Sequence, residues 1–242
     1  MTSFLADFRS VHAKSLTFAA TLPLAAAIPF AAEFVQHIVE MRIGMYAGPE
    51  ASAAAAENAD RLFAGFLKTI ALGLPAYFFI RWLNSDGDRS VATRPEGKAV
   101  RLFALVVALQ ALFAWLSLYV WTDGPMGIGF FVFGLVFMPL VARFIVAAPL
   151  GTLGSPLQSI RQMLPHAVYA IFFPIVATMP LMIVHYALGI GAIFVDGEAL
   201  KWAMLGADSF ITALLALVMI AAQYTIAQRP GPIMAAAGAT KA

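Results

Sequence analysis

Glu33, Gln36, His37 and Glu40 form the chain's densest set of side chains able to do chemistry. Spacings of three and four put them on one face of a helix. Two carboxylates and an imidazole so placed can hold a divalent cation, pass a proton or serve as a general base. Their neighbours are apolar, and ionisable groups in such surroundings need partners or water. The next apolar segment supplies Arg61 and Lys68. Two antiparallel helices would set Glu33 against Lys68 and Glu40 against Arg61 in one register, since seven residues forward on one match seven back on the other. That register also sets Gln36 beside Gly65 and His37 beside Ala64, both small enough for close approach. An ion-pair ladder is expected, with His185 of a later segment near the level of His37. The ladder can be a staple that hides charge or a proton or ion path. It can also be a divalent-metal site of Glu33, His37 and Glu40 with His185, suited to zinc, manganese or iron.

The elements that must position these residues are six apolar runs, approximately Leu16–Val39, Leu62–Leu83, Ala99–Trp121, Gly127–Ala148, His166–Phe194 and Ala207–Ala227. About 20 mainly apolar residues in helical form cross a bilayer, and lipid leaves the helix to satisfy its own backbone. The fold class is therefore all-α: a polytopic transmembrane helical bundle of six spans, residues 1–242 forming one membrane domain. Pro49, Glu50 and the Ala-rich stretch after them favour a helix start outside the membrane, running to about Leu83 with or without a break at the surface. Asn84–Lys98 reads as a flexible polar turn, Asp123-Gly124-Pro125 as a tight one, and the tail after Arg229 as frayed. Of the prolines within the runs, those at Pro174 and Pro180 mark the fifth as the place for a broken helix.

Hydrophobic residues make up 62% of the chain and charged residues 12%, against about 25% charged in a soluble domain. The net charge of +2 is scattered, which excludes a nucleic-acid surface. The absence of cysteine excludes disulfides, thiolate metal sites and a cysteine nucleophile. The first run is longer than a signal-peptide core and carries charges at its far end, so it reads as a retained span. With the N-terminus cytoplasmic, the inside segments take eleven of the fifteen basic residues, leaving Arg42, Arg61, Lys68 and Lys201 outside. This favours a bacterial inner membrane protein with both termini inside. Trp82, Trp121 and Trp202 stand at run ends, where an aromatic belt belongs.

The four histidines, His12, His37, His166 and His185, form two level-matched pairs. A single outer haem at His37 and His185 is a further option, although His12 and His37 are too far apart in helix rise for two haems within hydrocarbon. No cofactor is otherwise indicated. Arg143, at the inner end of the fourth run, is expected to snorkel toward headgroups and, with Arg161, to contact an anionic lipid.

The stretch Val141-Ala-Arg-Phe-Ile-Val-Ala-Ala-Pro149, followed by Ser155-Pro-Leu-Gln-Ser-Ile-Arg161, resembles a bacterial group. Its members are six-helix inner-membrane proteins similar to the membrane domain attached to some glycerophosphodiester phosphodiesterases. In them an Arg near the end of helix four precedes a Pro, and a short interfacial segment with Ser and basic residues leads into helix five. The acidic residues that often follow the Pro are missing here, and the Glu33–Glu40 cluster is no part of the pattern. The resemblance implies a six-helix inner-membrane fold and no activity.

Catalytic signatures are absent: there is no Gly-rich phosphate loop, nucleophile elbow or zinc-protease helix. The third, fourth and sixth runs offer few polar groups, chiefly Gln110, Ser117, Thr212 and Gln223, which disfavours a polar-solute carrier. The reading that asks least is a non-catalytic accessory or lipid-interacting membrane protein, with the bilayer, an anionic lipid and a membrane-protein partner or second copy as its contacts. A small transporter, an ion or proton pathway, or a metal- or haem-binding membrane subunit are the alternatives.

Overall fold

The computed structural model describes residues 3–122 and 124–233, which are helical with no strand among them. Five helical stretches are long and apolar enough to cross a membrane: Pro23–Arg42, Ala59–Asn84, Gly97–Val120, Pro156–Phe194 and Glu198–Ala227. Gly124–Leu140 and Ala142–Leu150 meet at 56° and make a sixth if the bent pair is one span.

In chain order the α-helices are α1 (Phe4–Thr21), α2 (Pro23–Arg42), α3 (Pro49–Ala55), α4 (Ala59–Gly73), α5 (Ala76–Asn84) and α6 (Arg89–Thr93). Then come α7 (Gly97–Trp115), α8 (Gly124–Leu140), α9 (Ala142–Ala147), α10 (Pro156–Met163), α11 (Ala167–Phe194) and α12 (Glu198–Ala227). Several boundaries depart from the sequence expectation for local reasons. The first apolar run is two helices, because Leu22 leaves helical dihedrals (φ −130°, ψ 63°) and Pro23 opens α2. A proline has no N–H to give the preceding turn and fits best at a helix start. The crossing stretch is thus α2, and α1 is a separate element. The helix expected from Pro49 to about Leu83, with or without a break at the surface, breaks before Ala59 and is interrupted again at Leu74–Pro75, where the dihedrals stay helical. Asn58 caps α4 by accepting from the Asp60 N–H at 2.9 Å, and Pro75 stands between α4 and α5. The loop expected to be a flexible turn contains α6, capped by Asp88, whose carboxyl is held below its ordinary value by the Ser90 hydroxyl and by the Ser90 and Val91 N–H groups. The fifth run is one helix through Pro174 and Pro180, and the break lies instead at Val141, two residues after Pro139. Asp123 of the expected tight turn, and the tail beyond Ile233 with Lys241, lie outside the described residues.

The core runs along α12. Leu205, Leu217, Val218 and Ile226 are buried there, and small residues such as Ala213, Ala216, Ala221 and Ala222 let α11, α2, α1 and α5 approach closely. α11 and α12 form an antiparallel hairpin about Val195–Gly197. By contrast α8 buries none of its side chains; it is held beside α7 by stacking of Phe130 on Phe113, with centroids 4.3 Å apart.

At one end of the bundle Asp7 of α1 pairs with Arg229 and accepts from the Tyr169 hydroxyl. Phe4 packs edge-on against Phe173, while Phe18, at the far end of α1, stacks on Phe79 at 4.3 Å and meets Trp82. Asp7, Val11, Ser15 and Phe18 form the buried stripe. α1 therefore lies across the ends of α11, α12 and α5, where it lengthens no span. The described chain begins and ends at this same end of the bundle, the parity an even number of crossings requires.

Candidate functional site

The opposite end holds the ionisable cluster. α2 delivers Glu33, Gln36, His37 and Glu40 on one face, as spacing dictates, and all four are buried. α4 packs antiparallel to it and closes the expected ladder: Lys68 Nζ lies 3.0 Å from Glu33 Oε2, and Arg61 Nε 3.3 Å from Glu40 Oε1. Gly65 lies against Gln36, so the intermediate register position holds as well. Arg61 also donates through Nη1 to the Ala56 carbonyl at 2.9 Å, which ties the ladder to the break before α4.

The rest of the cluster comes from α12, α11 and the turn after α2. Asp208, 0% exposed, lies in the body of α12. Its Oδ2 is 3.0 Å from His37 Nε2 and its Oδ1 is 2.7 Å from His185 Nδ1. Thr212, one turn along α12, lies 3.2 Å from the same His185 nitrogen. On the far side of the ring, His37 Nδ1 sits 3.0 Å from Glu40 Oε2. Tyr46, in the single 3₁₀ turn Met45–Ala47, donates its hydroxyl to that carboxylate at 2.7 Å. Burial, and after it the Glu40 charge, push the Tyr46 hydroxyl upward, so it remains a donor. Lys201 donates to the Tyr46 carbonyl and fixes the turn against the start of α12. Gln36 Nε2 donates to Glu40 Oε1 at 2.7 Å.

No family model, curated protein or solved structure matches this chain. The site is therefore read from its own chemistry.

Seven residues expected to meet do meet: Glu33, Gln36, His37, Glu40, Arg61, Lys68 and His185 form one network across α2, α4 and α11. Their internal order differs from the metal set expected from spacing. Glu40 faces the Nδ1 side of His37 and supports the ring from behind. The group that shares the Nε2 side with Glu33 is Asp208, and the possible ligand atoms of Glu33, His37 and Asp208 lie within 4.8 Å of one another. His185 reaches this centre only through Asp208. The Asp208 carboxylate bridges the two imidazoles, an arrangement for a proton or a cation and not for the axial positions of a haem. His12 turns away, its Nδ1 2.9 Å from the Phe8 carbonyl of its own helix.

Asp208, Thr212, Tyr46 and Lys201 were not assigned to the cluster from the sequence. A signal existed for the first: His185 and Asp208 stand eleven residues before Asp196 and eleven after Gly197, so a tight hairpin there sets them level. Tyr46 had none, because its place depends on a 3₁₀ turn that no periodicity marks.

Arg143 and Arg161 are not part of this cluster. Arg143 Nη1 donates to the Ala227 carbonyl at 2.6 Å and the Gly231 carbonyl at 2.7 Å, closing the last turn of α12. Arg161 is exposed on α10.

A second feature adjoins the cluster. A groove of about 670 Å³ runs between α2 and α4, with Val35, Val39, Phe63 and Leu67 among its apolar walls and Lys68, Arg42 and Asp60 as its charged residues. Val35, Phe63 and Leu67 are exposed, so the groove opens on the side of the bundle that hydrocarbon would cover.

Proposed function

We propose that this chain is a non-catalytic, lipid-interacting protein of a bacterial inner membrane, with six spans and both termini in the cytoplasm. The observation that carries the reading is the lateral groove between α2 and α4. Its volume falls within the ~300–1,000 Å³ of ligand sites. Its walls are hydrocarbon, and its mouth faces the bilayer, so its occupant is an acyl chain. Lys68 is already paired with Glu33, while Arg42 is exposed at the end of α2 on the rim of the groove. A phosphate headgroup above the chain would find its counter-charge there. The occupant is therefore one anionic phospholipid of the outer leaflet. The eleven-to-four division of basic residues supports the orientation, and the Asp7–Arg229 pairing supports placing both termini on one side. The likeness of residues 141–161 to the six-helix inner-membrane group supports the span count and assigns no activity. Toward the opposite leaflet, Arg161 is exposed on α10 and is the residue suited to a second anionic lipid, since Arg143 is held by the Ala227 and Gly231 carbonyls.

The test is native mass spectrometry of the chain released from its membrane in mild detergent. The wild-type protein is expected to retain one anionic phospholipid. Leu67→Trp, which fills the groove, should lose it, and Arg42→Gln should lose the preference for phosphatidylglycerol over phosphatidylethanolamine. Retention of the same lipid by both variants would overturn the reading.

A further inference from the structure

Glu33, His37 and Asp208 come from two helices, α2 and α12, and converge on one point. His37 Nε2 lies 3.5 Å from Glu33 Oε1 and 3.0 Å from Asp208 Oδ2. For metal–ligand bonds of about 2.1 Å, neighbouring donors stand about 3.0 Å apart in an octahedral set and about 3.4 Å apart in a tetrahedral one. The two edges at His37 lie near the range those two geometries span, and all three donor atoms lie within 4.8 Å of one another. The donors are also buried: Glu33 is 1% exposed, His37 3% and Asp208 0%.

Each donor has its remaining polar atom held by an outer partner. Lys68 Nζ donates to Glu33 Oε1 at 3.3 Å and lies 3.0 Å from Oε2, which accepts no well-aligned hydrogen bond. His37 Nδ1 faces Glu40, which Tyr46 and Gln36 hold in turn. Asp208 Oδ1 faces His185, beside Thr212. An imidazole whose second nitrogen meets a carboxylate is the arrangement that orients metal-binding histidines. Three buried carboxylates, Glu33, Glu40 and Asp208, meet two fixed cations, Arg61 and Lys68, in ion-pair contact. One negative charge remains to be balanced from within the cluster.

The geometry points to a divalent transition-metal site formed by Glu33 Oε1, His37 Nε2 and Asp208 Oδ2, with His185 and Glu40 as positioning residues. One imidazole and two carboxylates suit zinc, manganese or iron(II). With the ion bound and the imidazoles neutral, the three carboxylates, Arg61, Lys68 and the ion sum to one positive charge. The metal takes the place of the proton on His37 Nε2, so uptake releases a proton. Lys68 Nζ donates to Glu33 Oε1 at 3.3 Å, so the metal displaces that hydrogen bond and leaves the ammonium its 3.0 Å contact with Oε2. Lys68 lines the groove and pairs with Glu33, so the metal site and the groove share that residue.

The experiment is calorimetric titration of the full chain in detergent, stripped with chelator, using zinc or manganese alone. One equivalent per chain is expected. Asp208→Asn and His37→Gln should abolish binding, and His185→Gln, which removes only an outer partner, should weaken it about ten- to a hundredfold. X-ray absorption of the zinc-loaded wild-type protein needs no variant and should show one imidazole among oxygen donors. Absence of binding by wild-type protein, two or more imidazoles in the absorption spectrum, or wild-type affinity in His37→Gln and Asp208→Asn would each overturn the assignment.

Discussion

Glu33 and Lys68 show how a single register decision governs the site. Their carboxylate and ammonium are 3.0 Å apart, with side-chain exposures of 2% and 19%. Removing one partner of such a pair leaves the other uncompensated, at a cost of about 3–5 kcal/mol, while removing both is far milder. Lys68→Met is therefore expected to destabilise the chain strongly in a detergent unfolding titration. Glu33→Gln should cost less, since Lys68 can reach water or headgroups from the groove. The double variant should recover most of the Lys68→Met loss, and additive losses would show that the contact does not couple the helices. The pairing could be read in advance because charge and spacing together determine register: Glu33 with Lys68 and Glu40 with Arg61 fit only one alignment of α2 and α4. Asp208 was harder to place. A carboxylate at the edge of an apolar run looks the same in sequence whether it meets water or two imidazoles, and only the hairpin of α11 and α12 decides between them.

The elements follow from where the backbone can and cannot continue a helix. Composition marked the apolar runs well, because 18 or more apolar residues have few other uses. It did not mark the break at Leu22, where Pro23 lies inside a run that stays apolar on both sides. Nor did it separate Pro139, after which the chain bends, from Pro174 and Pro180, which α11 absorbs. Proline removes the same N–H in each case, and the packing of neighbours determines whether the helix survives. Arg143 shows such packing at a helix end. Its guanidinium satisfies two carbonyls beyond the reach of the α12 ladder, at Ala227 and Gly231. Hydrogen bonds to a charged group are worth about 1.5–3 kcal/mol. Arg143→Met should therefore free the last turn of α12, seen as faster amide exchange at residues 224–231, with the middle of α12 unchanged. Equal exchange in both proteins would mean that the carbonyls have other partners.

At the scale of the whole molecule the two ends differ in kind. One end gathers Asp7, Tyr169 and Arg229 with the basic segments, and the other gathers the buried carboxylates with Tyr46 and Lys201. A bilayer sorts basic flanks toward the cytoplasm, so the proposed orientation makes the Asp7–Arg229 end the inner one and sets the cluster under the outer surface. The Asp7–Arg229 pair ties the two ends of the chain together: whatever side receives the start of α1 receives the end of α12. A fluorescent protein fused after residue 242 should glow, and alkaline phosphatase fused there should be inactive, because one matures only inside and the other only outside. The same reporters after Tyr46 should give the opposite pattern. Inverting both results would keep the fold and reverse the leaflet of the groove. Reporters on opposite sides at the two chain ends would contradict the even crossing number, and with it the bent pair α8–α9 as one span.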